Sequence, residues 1–273
     1  MRVLTDLIAS RFIARTDCYA VQRPDGSYNP VNSPITRSVV EDHLQGNATY
    51  GHYLIGPNNE AKFFCFDIDL KTKGEYWIRP DLALMPEEIG TATPEADAWY
   101  DQNLQGPYEV DPRHAWKSRD PYSRPYFKER FRYLGEILTS TISDFDIPTC
   151  MTYSGHKGIH VYGFTGKADA GLIRGIANEV LHKTQIFKAG KGSNFFDDAT
   201  GEFPGLELEL FPKQDKVESG HYGNLMRIEF GVNLKSPNDP CFVVNQTLAH
   251  TDFAPHPKPE QVLESGNPWK DIE

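Results

Sequence analysis

Hydrophobic residues recur at intervals of three and four positions in two long stretches of the chain. In the first stretch they predict one face of a helix: Phe127, Phe131, Leu134, Leu138 and Ile142. Residues 172–181 carry the same period and predict a second helix. A further helix is predicted over residues 34–45, where Ser33 would be the N-cap residue and Gly46 would end the helix.

Alternating or continuous apolar runs predict strands elsewhere. Residues 49–69 read as a hairpin whose two strands are joined at the turn Gly56-Pro57-Asn58-Asn59. Two runs, 147–153 and 159–164, flank a short polar loop. The alternating LELELF at 206–211 and the run at 224–230 predict two more strands. Helices and strands mix without steady βαβ alternation, which favours an α+β fold.

Other segments show no sustained period. Residues 79–125 contain seven prolines and are predicted to be an irregular insertion. Residues 187–205 look like a mobile loop. The proline-rich tail 251–273 is predicted to be a linker or to wrap along an edge, so that one catalytic domain would span residues 1–250.

Composition narrows the classes of function. No apolar run approaches the ~18 residues of a membrane span, and the start of the chain lacks a signal-peptide core, so a cytoplasmic protein is expected. The four cysteines form no CxxC pair, which argues against a zinc ribbon and a disulfide framework. A formal net charge of -10 argues against a broad cationic nucleic-acid surface but permits a confined groove or bound metal ions.

Two pairs of carboxylates are candidate metal ligands. Asp67 and Asp69 in FFCFDIDL share one face of a strand and would repel each other without a cation between them. Hard oxygen ligands suit Mg²⁺ or Mn²⁺, although a solvated strand end or a neighbouring lysine would also satisfy the pair. Glu207 and Glu209 in LELELF are either part of an ordinary half-exposed strand or the source of a third ligand.

The loop in YSGHKGIHVYGF concentrates polar chemistry between two strands. Its two glycines permit a nest of backbone N–H groups, and Ser154, Lys157 and His160 add a hydroxyl, a cation and a donor suited to a triphosphate. The alternative is a tight glycine turn with an incidental histidine. His156 is expected to face solvent. Further along, Arg227 and Glu229 are either paired surface neighbours or part of a phosphate or template contact.

Four motifs in order resemble the archaeo-eukaryotic primase superfamily: FDID, SGHKGIH, LELFPKQ and GNLMRIEFG. They are most similar to the primase-polymerase domains of phages, plasmids and mobile elements, and the glycine-lysine-histidine loop is also similar to the polymerase domain of bacterial end-joining ligases. The resemblance covers roughly residues 45–235, interrupted by the 79–125 insertion. It implies an α+β catalytic core with an RRM-like mixed or antiparallel sheet beside an N-terminal αβ unit.

The resemblance also implies roles for individual residues. Asp67, Asp69 and Glu209 would be the catalytic acids and bind Mg²⁺ or Mn²⁺, with Glu207 the weaker candidate for the third acid. Ser154 and His160 would contact the phosphates of the incoming nucleotide. The positions expected near nucleotide or template are Lys213, Gln214, Asn224 and Arg227. The sequence departs from the family in two respects, since it shows no zinc cluster and has RIEFG where a proline often follows.

The function that follows is a DNA primase or primase-polymerase. It would join nucleoside triphosphates on a single-stranded template to prime DNA replication, with template near Arg124–Arg132, Lys188, Lys191 or Lys213 and bases stacked on Phe195 and Phe196. No Walker A motif is present, so a replicative helicase would have to be a partner or a region outside this sequence. The alternatives are a metal-dependent nuclease or phosphoesterase and a non-catalytic nucleic-acid-binding module of a replication complex.

Overall fold

Two antiparallel sheets and the helices around them form the fold. A computed structural model of the chain describes residues 2–71, 77–78, 93–103, 108–109, 123–248 and 254–265. The helices are α1 (Arg2–Arg11), α2 (Arg37–Leu44), α3 (Pro94–Asn103), α4 (Ser123–Ser143), α5 (Ala170–Thr184) and α6 (Pro259–Ser265). The strands are β1 (Tyr19–Gln22), β2 (Tyr28–Val31), β3 (Tyr50–Tyr53), β4 (Glu60–Leu70), β5 (Trp77–Ile78), β6 (Tyr108–Glu109), β7 (Thr149–Tyr153), β8 (Gly158–Asp169), β9 (Phe187–Ala189), β10 (Phe195–Asp198), β11 (Leu206–Phe211), β12 (Leu225–Arg227) and β13 (Phe242–Val243).

The larger sheet has the strand order β13-β7-β8-β4-β11-β10-β9 and is antiparallel throughout. The smaller sheet, β12-β3-β1-β2, is also antiparallel and takes three of its strands from the N-terminal region. The α+β class, the antiparallel sheet and the N-terminal αβ unit predicted from the sequence are therefore confirmed.

The central strand β4 explains where polar chemistry can lie. Its middle residues Phe63–Phe66 are all buried, because α4 and α5 cover one face of the sheet and the N-terminal segment covers the other. On the N-terminal side, the ring of Phe12 lies 5.8 Å from Phe63 and 5.0 Å from Tyr162. Beyond that cover, Ile68 and Leu70 stay buried while the alternate residues Asp67 and Asp69 reach a partly open face.

The predicted helices and strands are found, with shifted boundaries. The 126–142 pattern lies within α4, the 172–181 pattern within α5, and the strands on either side of the polar loop are β7 and β8. The helix predicted over residues 34–45 begins later, at Arg37, because the hydroxyl of Thr36 rather than Ser33 accepts the N–H of Val39.

The hairpin predicted over residues 49–69 is wrong. Its two strands belong to different sheets: β3 pairs with β1 and β12, whereas β4 pairs with β8 and β11. The predicted turn is present, since the N–H of Gly56 donates to the carbonyl of Glu60 and Asn59 has a positive φ. The turn therefore passes the chain from one sheet to the other.

The loop predicted over residues 187–205 is also wrong in part. Residues 187–189 and 195–198 form the β9–β10 hairpin, which extends the large sheet beyond β11. Phe187 and Phe196 anchor this hairpin, because both pack against the main core. Each strand is short, and so its hydrophobic period was too weak to detect.

The 79–125 insertion is less irregular than predicted where it is described. Residues 94–103 form α3, and β5 pairs with β6 just outside the helix. Trp99 and Tyr100 of α3 pack against the main core. Residues 79–92, 104–107 and 110–122 of the insertion lie outside the described residues.

The domain boundary at residue 250 stays a prediction, but the described part of the tail contacts the core. Val262 and Leu263 of α6 are buried, and the guanidinium of Arg11 in α1 donates to the carbonyls of Leu263 and Glu264 at 2.8 Å. Within the described residues, no helix combines the length and the apolar character that a membrane crossing would need.

Candidate active site

The candidate catalytic acids lie side by side across three strands of the large sheet. Asp67 of β4 is opposite Glu209 of β11 on one side and His160 of β8 on the other. Residues directly opposite each other in antiparallel strands point to the same face, so these three side chains form one row. The next row along the strands contains Gly158, Asp69 and Glu207. Residues more than 130 positions apart in the sequence therefore meet on one surface.

This cluster of carboxylates has an excess of negative charge around Asp67. Burial and the nearby charge of Asp69 raise the pKa of Asp67 to about 7, and Glu209 adds to the effect. Two lysines offset part of the charge: the ammonium of Lys157 lies 2.8 Å from Asp69 Oδ2, and the ammonium of Lys213 contacts Glu209. The lysine alternative considered for the aspartate pair is thus present in the structure.

The carboxylate cluster fits a hard divalent cation in its chemistry. Among the described residues, no three histidine, cysteine or carboxylate side chains are gathered tightly enough to hold a metal ion as they stand. Asp67, Asp69 and Glu209 nevertheless supply only oxygen donors, the ligand type that hard divalent cations prefer. The binding of Mg²⁺ or Mn²⁺ by these residues stays a prediction.

His160 is held in place by a buried acid that the sequence left ambiguous. Its Nδ1 lies 2.5 Å from Oε1 of Glu229, and the hydroxyl of Tyr162 donates to the same oxygen at 2.5 Å. Burial alone would lower the pKa of His160, but the charges of Glu229 and Asp67 outweigh it and raise this pKa. Glu229 is 1% exposed, which excludes the surface-pair interpretation of Arg227 and Glu229.

The predicted glycine loop forms a tight corner between β7 and β8. Gly155 has φ +72°, a conformation that favours glycine, and the N–H of Ser154 donates to the carbonyl of Gly158 at 3.0 Å. The carbonyl of Ser154 accepts from the guanidinium of Arg227 at 2.6 Å, which joins the loop to β12. His156 does not face open solvent as expected, because its Nδ1 lies 2.5 Å from the hydroxyl of Ser236.

A cavity of about 330 Å³ opens beside the acids. Six predicted site residues line it: Asp67, Asp69, Ser154, Lys157, His160 and Arg227. Five further polar side chains that the sequence did not assign to the site also line it, namely Gln22, Tyr28, His156, Asn233 and Lys235. His156 belongs to the loop between β7 and β8, whereas the other four come from β1, β2 and the segment after β12, and no spacing in the sequence connects those four with the acidic motifs. The cavity therefore lies between the two sheets.

The remaining predicted positions lie outside that cavity. Lys213 lies over the ring of Phe211, and its backbone N–H donates to Asn224 Oδ1 at 2.6 Å, so Asn224 fixes the segment after β11. Gln214 lines a separate cavity of about 610 Å³ with residues from 216–223 and donates to the carbonyl of Lys216. The structure thus brings Lys213 into contact with Glu209 and places Gln214 and Asn224 outside the cavity beside the acids.

The prediction that template lies near Arg124–Arg132 on α4 is wrong for Arg132. This side chain is fully buried and donates to Glu136 and to the carbonyls of Asn245 and Leu248. It therefore ties α4 to the segment after β13. Arg130 is also buried, beside Glu129, and the side chain of Arg124 lies outside the described residues.

An antiparallel α+β core with clustered acids beside a cationic cavity is the arrangement expected of a primase-like domain. The comparison with protein families agrees, and the chain belongs to the archaeo-eukaryotic primase domain of the TOTE conflict system, whose family model matches residues 5–256. Domains of this class are generally nucleotidyltransferases and typically depend on divalent metal ions. A comparison with curated proteins gives no significant match.

Proposed function

We propose that the protein is a template-directed nucleotidyltransferase, a DNA primase or primase-polymerase that makes RNA or DNA primers from nucleoside triphosphates in DNA replication. One observation carries this proposal. Glu209, Asp67 and His160 form one row, and Asp67 and His160 of this row line the same cavity as Ser154 and Arg227. Acidic ligands and a basic, donor-rich pocket are thereby adjacent. Phosphoryl transfer from a triphosphate requires both features at one place.

The cavity suits the β- and γ-phosphates of the incoming nucleotide. Lys157, His160, Arg227 and Lys235 supply positive charge, and the raised pKa of His160 keeps its imidazole cationic at neutral pH. Ser154 adds a hydroxyl and the loop adds backbone N–H groups. Glu229 and Tyr162 fix the imidazole of His160, and Arg227 is hydrogen-bonded to the loop backbone. These donors are therefore preorganised and lose little conformational freedom when phosphate binds.

The carboxylates would supply the chemistry of the transfer step. Asp67, Asp69 and Glu209 would hold Mg²⁺ or Mn²⁺, which when bound lowers the pKa of the attacking 3′-hydroxyl and neutralises charge on the transferred phosphate. In that state Lys157 and Lys213 would turn from Asp69 and Glu209 towards phosphate groups, and Lys157 would also give up its 2.8 Å hydrogen bond to the carbonyl of Leu70. Much of the acceleration would then come from alignment of the two substrates by the surrounding residues.

A net charge of -10 is compatible with this function because the positive charge is local. The cationic residues of the cavity face the acids, where the polyanionic substrates have to meet. A replicative helicase as partner stays a prediction, since no described feature bears on it.

One assay separates this function from the alternatives. The protein is incubated with a single-stranded DNA template, labelled ribo- or deoxyribonucleoside triphosphates, and Mg²⁺ or Mn²⁺. Template-dependent products would support the polymerase function. Degradation of the template would support a nuclease, and binding without turnover would support a non-catalytic module. The variant Asp67→Ala/Asp69→Ala should lose at least about 100-fold of the synthesis, while Asp144→Ala, which removes an exposed aspartate paired with Lys183, should keep it.

A further inference from the structure

The row of site residues continues past Glu209 to an exposed aromatic ring. Phe195 of β10 is directly opposite Glu209 of β11, so the four residues His160, Asp67, Glu209 and Phe195 follow one another across neighbouring strands on one face. Adjacent strands are about 4.8 Å apart. Phe195 is therefore one strand from Glu209 and two strands from Asp67, on the side away from the triphosphate cavity.

The exposure of Phe195 has no explanation in the packing of the fold. Its side chain is 37% exposed, whereas its neighbour Phe196 points to the opposite face and packs against the main core. The ammonium of Lys213 lies 5.7 Å from the centroid of the Phe195 ring while it also contacts Glu209. An exposed ring with a lysine beside it is typical of surfaces on which nucleic-acid bases stack.

The strand beyond Phe195 leaves this ring accessible. Gly190 pairs with Phe195 through a 2.8 Å backbone hydrogen bond, and as a glycine it places no side chain next to the ring. Lys188 and Lys191 on either side of Gly190 are exposed. The edge of the sheet therefore combines an open aromatic face with lysines, although the chain as a whole is acidic.

The direction of the reaction indicates which nucleotide lies there. In phosphoryl transfer the attacking hydroxyl approaches the phosphorus roughly in line with the leaving group. Pyrophosphate would leave towards Ser154, His160 and Arg227, so the attacking 3′-hydroxyl has to come from the other side of Asp67 and Glu209. On that side lies Phe195.

We propose that Phe195, with Lys213, Lys188 and Lys191, forms the site for the primer strand, and that the base of its 3′-terminal nucleotide stacks on the Phe195 ring. The lysines would contact the phosphates of the same strand. This inference rests on the proposed function, because it names the second substrate of the same site. It makes Phe195 a positioning residue for the nucleophile and gives it no role in binding the incoming triphosphate.

The test is steady-state primer extension with Phe195→Ala and Phe195→Trp. Loss of one base-stacking contact predicts that Phe195→Ala raises the KM for primer about 10- to 100-fold and leaves the KM for nucleoside triphosphate within about twofold. Phe195→Trp should retain the wild-type KM. Phe145→Ala is a matched control, since Phe145 is 38% exposed and has the ammonium of Lys183 5.3 Å from its ring.

A cross-linking experiment distinguishes the primer from the template. With 5-iodouracil at the 3′ end of the primer, irradiation should attach the primer to Phe195, whereas the same base in the template strand should not attach there. Cross-linking from the template alone, or equal KM values for wild type and Phe195→Ala, would overturn the inference. If the wild-type protein extends no primer at all, the proposed function itself fails, and this result is distinct from an unaffected Phe195→Ala.

Discussion

Glu229 and Asp67 lie at the two ring nitrogens of His160. Nδ1 of the imidazole is 2.5 Å from Oε1 of Glu229, and Nε2 is 3.5 Å from Oδ1 of Asp67. The histidine is thus placed between a buried structural acid and a candidate catalytic acid. Its charge lowers the pKa of Glu229, even though burial of the glutamate acts in the opposite direction. The buried acid therefore keeps the imidazole oriented and cationic.

Replacement of Glu229 should weaken the binding of the nucleoside triphosphate. Glu229→Gln preserves the shape but removes the negative charge, so we expect the KM for nucleoside triphosphate to rise about tenfold, as for loss of a hydrogen bond to a charged group. Stability should fall by about 3 kcal/mol because a buried charge pair is broken. Enzyme kinetics and urea unfolding measure the two effects. Glu60→Gln, which alters a surface pair with Lys167, should change neither; a Glu229→Gln variant with the wild-type KM would argue against the positioning role.

A methyl group at Gly158 on β8 should displace the carboxylate of Asp69 on the neighbouring strand β4. A Cβ built at this position would lie 2.2 Å from Asp69 Oδ1 and 2.2 Å from the carbonyl oxygen of Ile68, so Gly158→Ala has to displace Asp69 or β4. We expect nucleotide incorporation to fall by at least about 100-fold. Gly175→Ala is the control, because nothing lies within 4 Å of its Cβ position and alanine favours the helix by about 0.5–1 kcal/mol. Full activity in Gly158→Ala would show that the position of Asp69 is not critical.

Lys235 should contribute to triphosphate binding although no motif contains it. It lines the cavity next to Asn233, and its side chain occupies the space beside Gly26. Loss of one charged contact in Lys235→Ala should raise the KM for nucleoside triphosphate about 5- to 10-fold with little change in kcat. The same measurement on Lys167→Ala, which removes a lysine paired with Glu60 at the far end of β8, should show no change. A fall in kcat at constant KM would contradict this role.

Burial of His43 should make folding sensitive to acid. The N–H of Tyr50 donates to Nδ1 of His43, so Nε2 carries the proton and donates to the carbonyl of Ile228 at 2.6 Å. Burial lowers the pKa of His43 to about 4 from 6.5. The unfolded chain therefore binds the proton first as the pH falls, and stability is lost between about pH 6.5 and pH 4.

This effect can be isolated with a variant that does not titrate. Between pH 7.5 and pH 5 the wild type should lose about 2 kcal/mol more unfolding free energy than His43→Gln, since every other titrating group is common to both proteins. Urea unfolding at the two pH values gives the difference. Parallel losses in the two proteins would mean that the imidazole of His43 is not kept neutral by the fold.

Local pattern was sufficient to predict the elements whose hydrophobic period is long. Helix α4 carries five core residues in register, and β11 alternates cleanly, so both were recognised. The order of the motifs also indicates that Asp67, Asp69 and Glu209 belong to one site. The register of β4 with β11 places Asp67 and Glu209 side by side on one face of the sheet. Short strands such as β9 and β10 gave no usable period, because their stability comes from pairing and from a few anchors such as Phe196.

Relationships that depend on tertiary structure were out of reach of the sequence. The β3–β4 turn looked like a hairpin because turn residues do not specify which strands pair after them. For Glu229 the sequence leaves open a surface pair with Arg227 and a phosphate or template contact, since one sequence cannot show that His160 lies against Glu229 in the core. Lys235 stands in a loop without any pattern, and only the packing of the segment after β12 brings it to the cavity.

The proposed function requires that the three acids and the adjacent cavity form one centre for transfer from a nucleoside triphosphate. The most direct measurement is anomalous diffraction at the manganese absorption edge from crystals grown with Mn²⁺ and a non-hydrolysable nucleoside triphosphate. We expect a manganese peak bonded to carboxylate oxygens of Asp67 and Glu209, with phosphate density against Ser154, His160 and Arg227. Manganese bound elsewhere, or a nucleotide bound away from this cavity, would contradict it.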